Sequence, residues 1–224
     1  MKKFWHILIV LAVVLGGNAQ AFAEAKIRYV AIGDSYTIGT GVKREQAWPV
    51  WLVMYLRSEG IDIELIENMG RAGWTSEDVY RHQIPVTIPL KPNFFTVLVG
   101  ANDVFKGVSP EVFVKRFNAV LDRLQRLLPN PQQIIVLTIP DFSVTPHGQR
   151  FGNPAELQLK ISEFNAIIFK ETQARELTVV DLFKVSQEMG QDPALVAADG
   201  LHPSPREHVI WAKKIFPAAK EMLK

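Results

Sequence analysis

Ser35 closes the stretch Val30-Ala31-Ile32-Gly33-Asp34-Ser35, in which an apolar run stops at a glycine and a nucleophile-capable hydroxyl follows almost at once. A serine hydroxyl is a poor nucleophile until a base takes its proton, and imidazole suits that task near neutral pH. His202, in Asp199-Gly200-Leu201-His202, is such a base. Asp199 can reach Nδ1 from three residues upstream, which steadies the imidazolium and leaves Nε2 for the serine. Acyl transfer also needs donors aimed at a developing oxyanion. The Ser35 N–H, the Gly73 N–H and the Asn102 side-chain amide are available, and a glycine at 73 lets backbone approach substrate closely. Each residue alone has a plainer role. Ser35, Asn102 and Asp199 can each be turn residues, and Gly73 can be loop flexibility. His147, in Pro140-Asp141-Phe142-Ser143-Val144-Thr145-Pro146-His147, is the rival base, whereas His82 and His208 lie in helical or connecting segments.

Elements of a definite kind must bring these residues together. Five apolar, partly β-branched runs recur at 26–33, 61–68, 93–100, 132–139 and 177–182. Phe113, Phe117, Val120, Leu121, Leu124, Leu127 and Leu128 follow a helical period between the third and fourth runs, and Leu157, Ile161, Phe164 and Ile168 mark a second helix. Ser109-Pro110, Asn153-Pro154 and Ser204-Pro205 each set a capping side chain before a proline suited to a helix's first position. Glu156 and Glu207, three residues after their caps, are expected to complete capping boxes. Pro217 is expected to kink or end the last helix. Alternating strands and helices predict one α/β domain with a mostly parallel sheet covered on both faces. In such sheets ligands bind outside the carboxyl ends of the strands. Ser35, Gly73 and Asn102 follow the first three runs, and the Asp199–His202 loop follows the fifth.

The 224 residues are 48% apolar, enough for a substantial core and far from a disordered composition. Lys2 and Lys3, the apolar run from Ile7 to Leu15, and Ala21-Phe22-Ala23 form the pattern of a secretory signal peptide at 1–23. The apolar run is shorter than the roughly 20 residues of a spanning helix, so cleavage, with no stable membrane anchor left, is the expectation. The absence of cysteine excludes an acylated lipoprotein. Without the leader, 23 basic residues face 23 acidic ones over 24–224, a balance without the electrostatic footprint of nucleic-acid binding. Export places the protein in the periplasm or the medium.

Other chemistries fit less well. Gly33, Gly39 and Gly41 form neither of the common phosphate-binding glycine patterns. A metal phosphoesterase built on Asp34, Asn102, Asp103, Asp199 and His202 has only one well-placed histidine and no short pair to nucleate a metal site. G-x-S-x-G is absent, which disfavours the α/β-hydrolase fold proper. A noncatalytic carbohydrate- or lipid-binding module leaves the nucleophile, base and donors together unexplained.

The blocks Gly33-Asp34-Ser35-Tyr36, Asn68 to Thr75, Gly100-Ala101-Asn102-Asp103 and Asp199 to His202 resemble, in order and over essentially the whole mature chain, the SGNH hydrolases, also called GDSL esterases and lipases. The four name-giving residues are Ser35, Gly73, Asn102 and His202. The resemblance implies Ser35 as nucleophile, His202 as base and then acid, Asp199 orienting it, and an oxyanion hole of Ser35, Gly73 and Asn102. It also implies a three-layer α/β/α sandwich with a flavodoxin-like five-stranded parallel sheet, and no metal or organic cofactor. Tyr36 stands where the family name has leucine, a departure that bears on lipase-type naming and not on the catalytic residues. Trp74, Phe105 and Phe142, with Phe151, are candidates to line an acyl pocket, and the loop from Pro140 to Asn153 to set chain length. The expected substrate is a small-molecule or lipid ester of short-to-medium acyl chain, in the manner of the thioesterase/lysophospholipase-like bacterial branch. Acetylated polysaccharide is the alternative. Oligomeric state has no signature here.

Overall fold

Five of the apolar runs become strands because their β-branched and aromatic residues suit a pleated surface buried on both sides. They are β1 (Ile27–Gly33), β2 (Ile63–Asn68), β3 (Phe94–Leu98), β4 (Ile134–Leu137) and β5 (Thr178–Val180). The computed structural model describes residues 26–224, so the expected leader at 1–23 lies outside the described residues. All strand pairs are parallel, in the order β2-β1-β3-β4-β5. That order is the flavodoxin-like one. Every residue of β3 and β4 is buried, while the edge strands β2 and β5 are only partly so. Each strand is shorter than its apolar run, at the start alone in β1 and β2 and at both ends in β3, β4 and β5.

Four long helices cover the sheet: α1 (Trp48–Ser58), α2 (Pro110–Leu127), α3 (Pro154–Gln173) and α4 (Pro205–Met222). α1 packs on α4, and α2 on α3, which gives the three layers. Phe113 of α2 lies 5.5 Å from Phe117 and 4.5 Å from Phe164 of α3, ring centre to ring centre. Trp48 and Trp211 anchor the other layer, both fully buried. Removing such a side chain from water is worth about 1.5–3 kcal/mol or more. Among the described residues no helix is long and apolar enough to cross a membrane.

The caps form as expected at Ser109, Asn153 and Ser204, whose side chains accept from Val112, Ala155 and Glu207 N–H. The two capping boxes do not. Glu156 meets the Asn153 side chain, at 3.4 Å, rather than its N–H, and the Glu207 carboxylate turns inward to accept from Trp211 Nε1 at 2.6 Å. The Ser204 N–H is already taken by Leu195 O. Pro217 does not end α4, which continues to Met222. The carbonyl that loses its partner belongs to Lys213, an exposed residue, so water can satisfy it.

Candidate active site

β1 and β3 flank the point where the strand order reverses, and the polar clusters gather outside their carboxyl ends. Ser35 opens a one-turn helix, Ser35–Ile38, directly after β1. The turn is tight: a Cβ on Gly33 would lie 2.2 Å from Thr37 Oγ1 and 2.3 Å from Leu98 O. Gln83 clamps this glycine from a distant turn. Its Nε2 donates to Gly33 O at 2.6 Å, and its Oε1 accepts from Gly33 N–H at 3.0 Å. Asn68 holds the other end of the turn by donating to Thr37 O at 2.8 Å, while accepting from Gly70 N–H. Trp48 Nε1 donates to Tyr36 O and ties α1 to the same turn. Asp34 Oδ1 accepts from Tyr36 N–H at 3.0 Å. Complete burial pushes the Asp34 carboxyl up to about 7; the Tyr36 N–H pulls it down and the Asp103 carboxylate pushes it further up.

Asn102 sits on the one-turn helix Ala101–Phe105 that follows β3. Its Nδ2 donates to Trp74 O at 3.0 Å and lies 3.4 Å from Asp34 Oδ2, so the amide is aimed between the glycine loop and the serine turn. Gly73 has φ +80°, a left-handed conformation that L side chains adopt at a cost. Lys106 Nζ donates to Gly73 O at 2.9 Å and fastens that loop to the Asn102 helix. Among the described residues, neither the Ser35 N–H nor the Gly73 N–H donates to a protein acceptor. Two backbone donors and one amide thus stand at the mouth of the sheet.

The loop that carries His202 is closed by the bridge between Val196 and Pro203 and by Ala197 N–H to His202 O at 2.8 Å. Asp199 Oδ1 accepts from the N–H groups of Leu201 and His202 at 2.9 and 3.0 Å, and its Oδ2 meets His202 Nδ1 at 2.6 Å. Burial works to raise the Asp199 carboxyl, but the two N–H bonds and the imidazole outweigh it and hold it below the usual carboxylate range. An ionised carboxylate at 2.6 Å makes Nδ1 the donor and leaves Nε2 as an acceptor. The Tyr36 ring lies against the imidazole, 5.2 Å between centres.

Ser35, Gly73, Asn102 and His202 line one cleft of about 300 Å³. Its remaining walls are mostly apolar and include Tyr36, Phe105, Phe142, Phe151 and Leu201. Phe105 and Phe142 are among the residues lining this cleft, and Trp74 is not. Its carbonyl faces Asn102, and its ring packs on His82 at 5.6 Å, away from the cleft lining. His147 also lines the cleft, with its N–H on Gly200 O and its ring edge-on to Phe151; no carboxylate bonds it among the described residues. His202 is thus the cleft imidazole with a carboxylate behind it. Among the described residues no hydrogen bond joins Ser35 Oγ to His202, a bond that commonly tightens only when substrate is seated. Asp103 is a structural carboxylate, fully buried and holding Ser76 N–H and Oγ at 2.8 and 2.6 Å.

Gln83 leaves no motif signal because its backbone partner, Gly33, lies 50 residues away. Asn68 stands in the second sequence block, but its hold on Thr37 O appears only in the fold.

A profile of the GDSL-like lipase/acylhydrolase family matches residues 31–209. An arylesterase of Vibrio mimicus is 22% identical over 215 residues, 96% of this chain and 97% of that protein. Esterase TesA of Pseudomonas aeruginosa is 22% identical over 205 residues, 91% of this chain and 92% of that protein. The crystal structure of Axe2, an acetylxylan esterase from Geobacillus stearothermophilus, superposes with a TM-score of 0.70 at 18% identity, covering 90% of this chain and 99% of that one. With the profile spanning most of its length, the chain belongs to the GDSL-like lipase/acylhydrolase family and is a carboxylic ester hydrolase.

Proposed function

We propose that the protein is an exported serine esterase that cleaves carboxylic esters of short-to-medium acyl chain through an acyl-enzyme on Ser35. The observation that carries this reading is the meeting of Ser35, Gly73, Asn102 and His202 on one apolar cleft, with Asp199 bonded behind the imidazole. Ser35 Oγ attacks the ester carbonyl as His202 Nε2 takes its proton. Ser35 N–H, Gly73 N–H and the Asn102 amide receive the oxyanion. One Asn102 N–H is committed to Trp74 O, which fixes the plane of the amide; the second has only the long contact to Asp34 to give up. Collapse of the intermediate expels the alkoxide, which takes the proton from His202. Water then repeats the sequence against the acyl-enzyme, with His202 as base and Ser35 as leaving group. Asp199 stays ionised and steadies the imidazolium in both halves.

Apolar walls beside the serine favour acyl or aryl groups over sugars. Axe2 shares the fold and acts as an acetylxylan esterase, which makes acetylated polysaccharide the second substrate class. A p-nitrophenyl ester series from acetyl to dodecanoyl, run beside an acetylated xylo-oligosaccharide and a lysophospholipid, separates the classes. The expected optimum lies at butyryl to octanoyl. Preference for the acetylated sugar by tenfold or more overturns the acyl-chain reading, and absence of turnover on every ester overturns the esterase itself.

A further inference from the structure

We propose that Phe105 and Phe151 form a partition across one long acyl groove, and that this pair sets the chain length the enzyme accepts. The inference rests on the reading of the cleft as the acyl site. Phe105 ends the helix that carries Asn102, and Phe151 follows the turn Gly148–Arg150. Their rings meet edge-on with centres 4.7 Å apart. Both residues line the catalytic cleft, and both also line a second cavity of about 280 Å³. That cavity is walled by Val104, Gly107, Leu157 and Lys160. It shares Val104, Gly107 and Lys160 with a third cavity of about 250 Å³, reaching Val108 and Phe164. The three spaces thus follow one another along the seam between the Asn102 helix with its trailing loop and α3, and the aromatic pair is the wall between the first two.

Phe105 is 55% exposed, so the core does not explain it. A large ring held in water contributes little to folding, and its position across the seam is what it supplies. Phe151 is partly buried and braced by His147, 5.1 Å between ring centres. The occupant that fits is the acyl tail of the ester. It is continuous with the carbonyl at Ser35, apolar like the cleft, and can run out toward the charged outer edge of α3 at Glu156, Lys160 and Glu163, all exposed. With the partition in place the tail is confined to the first space. With Phe105 cut back, the tail gains the second.

The readout is the ratio of kcat/KM for p-nitrophenyl decanoate to that for the butyrate, taken within each variant. A methylene removed from water changes binding about fourfold, so Phe105→Ala should raise this ratio at least about tenfold, with Phe105→Leu giving a smaller rise. Adding Glu156→Trp, an exposed α3 position that lines the second cavity, should refill the space and cancel the gain. An unchanged ratio in Phe105→Ala, or a gain that survives Glu156→Trp, overturns the partition. If the parent protein turns over esters while the ratio stays unmoved, the partition alone fails; if no ester is turned over, the esterase reading fails first.

Discussion

Replacing Glu207 with glutamine should make the protein's stability less dependent on pH. Glu207 lies on the first turn of α4, fully buried, with Oε1 on Trp211 Nε1 and, among the described residues, Oε2 without a partner. Burial pushes its carboxyl up to about 7; the Trp211 bond and Arg206 pull it down, and the Glu188 carboxylate pushes it further up. An acid raised above its unfolded value keeps a proton that the unfolded chain has already lost. Between about pH 4.5 and 7 stability therefore falls as pH rises, and the full penalty is present above 7. At about 1.4 kcal/mol per pKa unit, the cost accumulated between pH 5 and pH 8 is about 2–3 kcal/mol. Glutamine keeps the acceptor for Trp211 and cannot ionise. Its NH₂ group meets the same unpartnered space, a loss of about 1–3 kcal/mol that is independent of pH. The signature is thus a slope. Urea unfolding of both proteins at pH 5, 6, 7 and 8 should show the variant gaining about 2–3 kcal/mol on the parent across the range. Asp34, raised in the same way, acts equally in both proteins and cancels. Parallel stability curves would refute the reasoning.

Asn102→Ala should lower kcat on p-nitrophenyl butyrate by roughly a hundred- to a thousandfold, with little change in KM, because the amide acts on the oxyanion. Gly73→Ala keeps the N–H but forces a methyl-bearing residue into φ +80° with open space around it. It should cost about 1 kcal/mol, read as a fall of roughly 2–4 °C in Tm, and harm kcat less than Asn102→Ala does. Activity should survive exhaustive EDTA treatment, and loss restored by added zinc or magnesium would instead favour the metal phosphoesterase chemistry.

Much of the frame was legible because burial on both faces leaves a local trace. Asn93 to Gly100 reads as a strand from its own apolar, β-branched content, and Ser35, Asn102 and His202 each stand in a glycine-marked turn beyond such a run. Side-chain direction in loops leaves no such trace. Trp74 neighbours Gly73 in sequence, yet its ring follows a contact with His82. Glu207 fits a capping pattern, yet the Trp211 indole four residues on is the better partner in a buried layer. Pro217 sits within α4 without ending it, and the carbonyl left without its usual partner belongs to an exposed residue, Lys213. Gln83 serves Gly33 across 50 residues, and that pairing exists only once the fold brings the two turns together.

The leader reading, and with it export, rests on the sequence pattern at 1–23 and is tested by N-terminal sequencing of the protein recovered outside the cytoplasm, where the mature chain should begin at Glu24.

The central claim is that Ser35 is activated by His202 at a single cleft. Mass spectrometry after treatment with a fluorophosphonate measures this most directly: one phosphonyl adduct should appear on Ser35, slow at least a hundredfold in His202→Ala, and vanish in Ser35→Ala while its circular dichroism stays that of the parent. An adduct on another residue, or a Ser35→Ala protein that still hydrolyses p-nitrophenyl butyrate at the parent rate, would contradict the account.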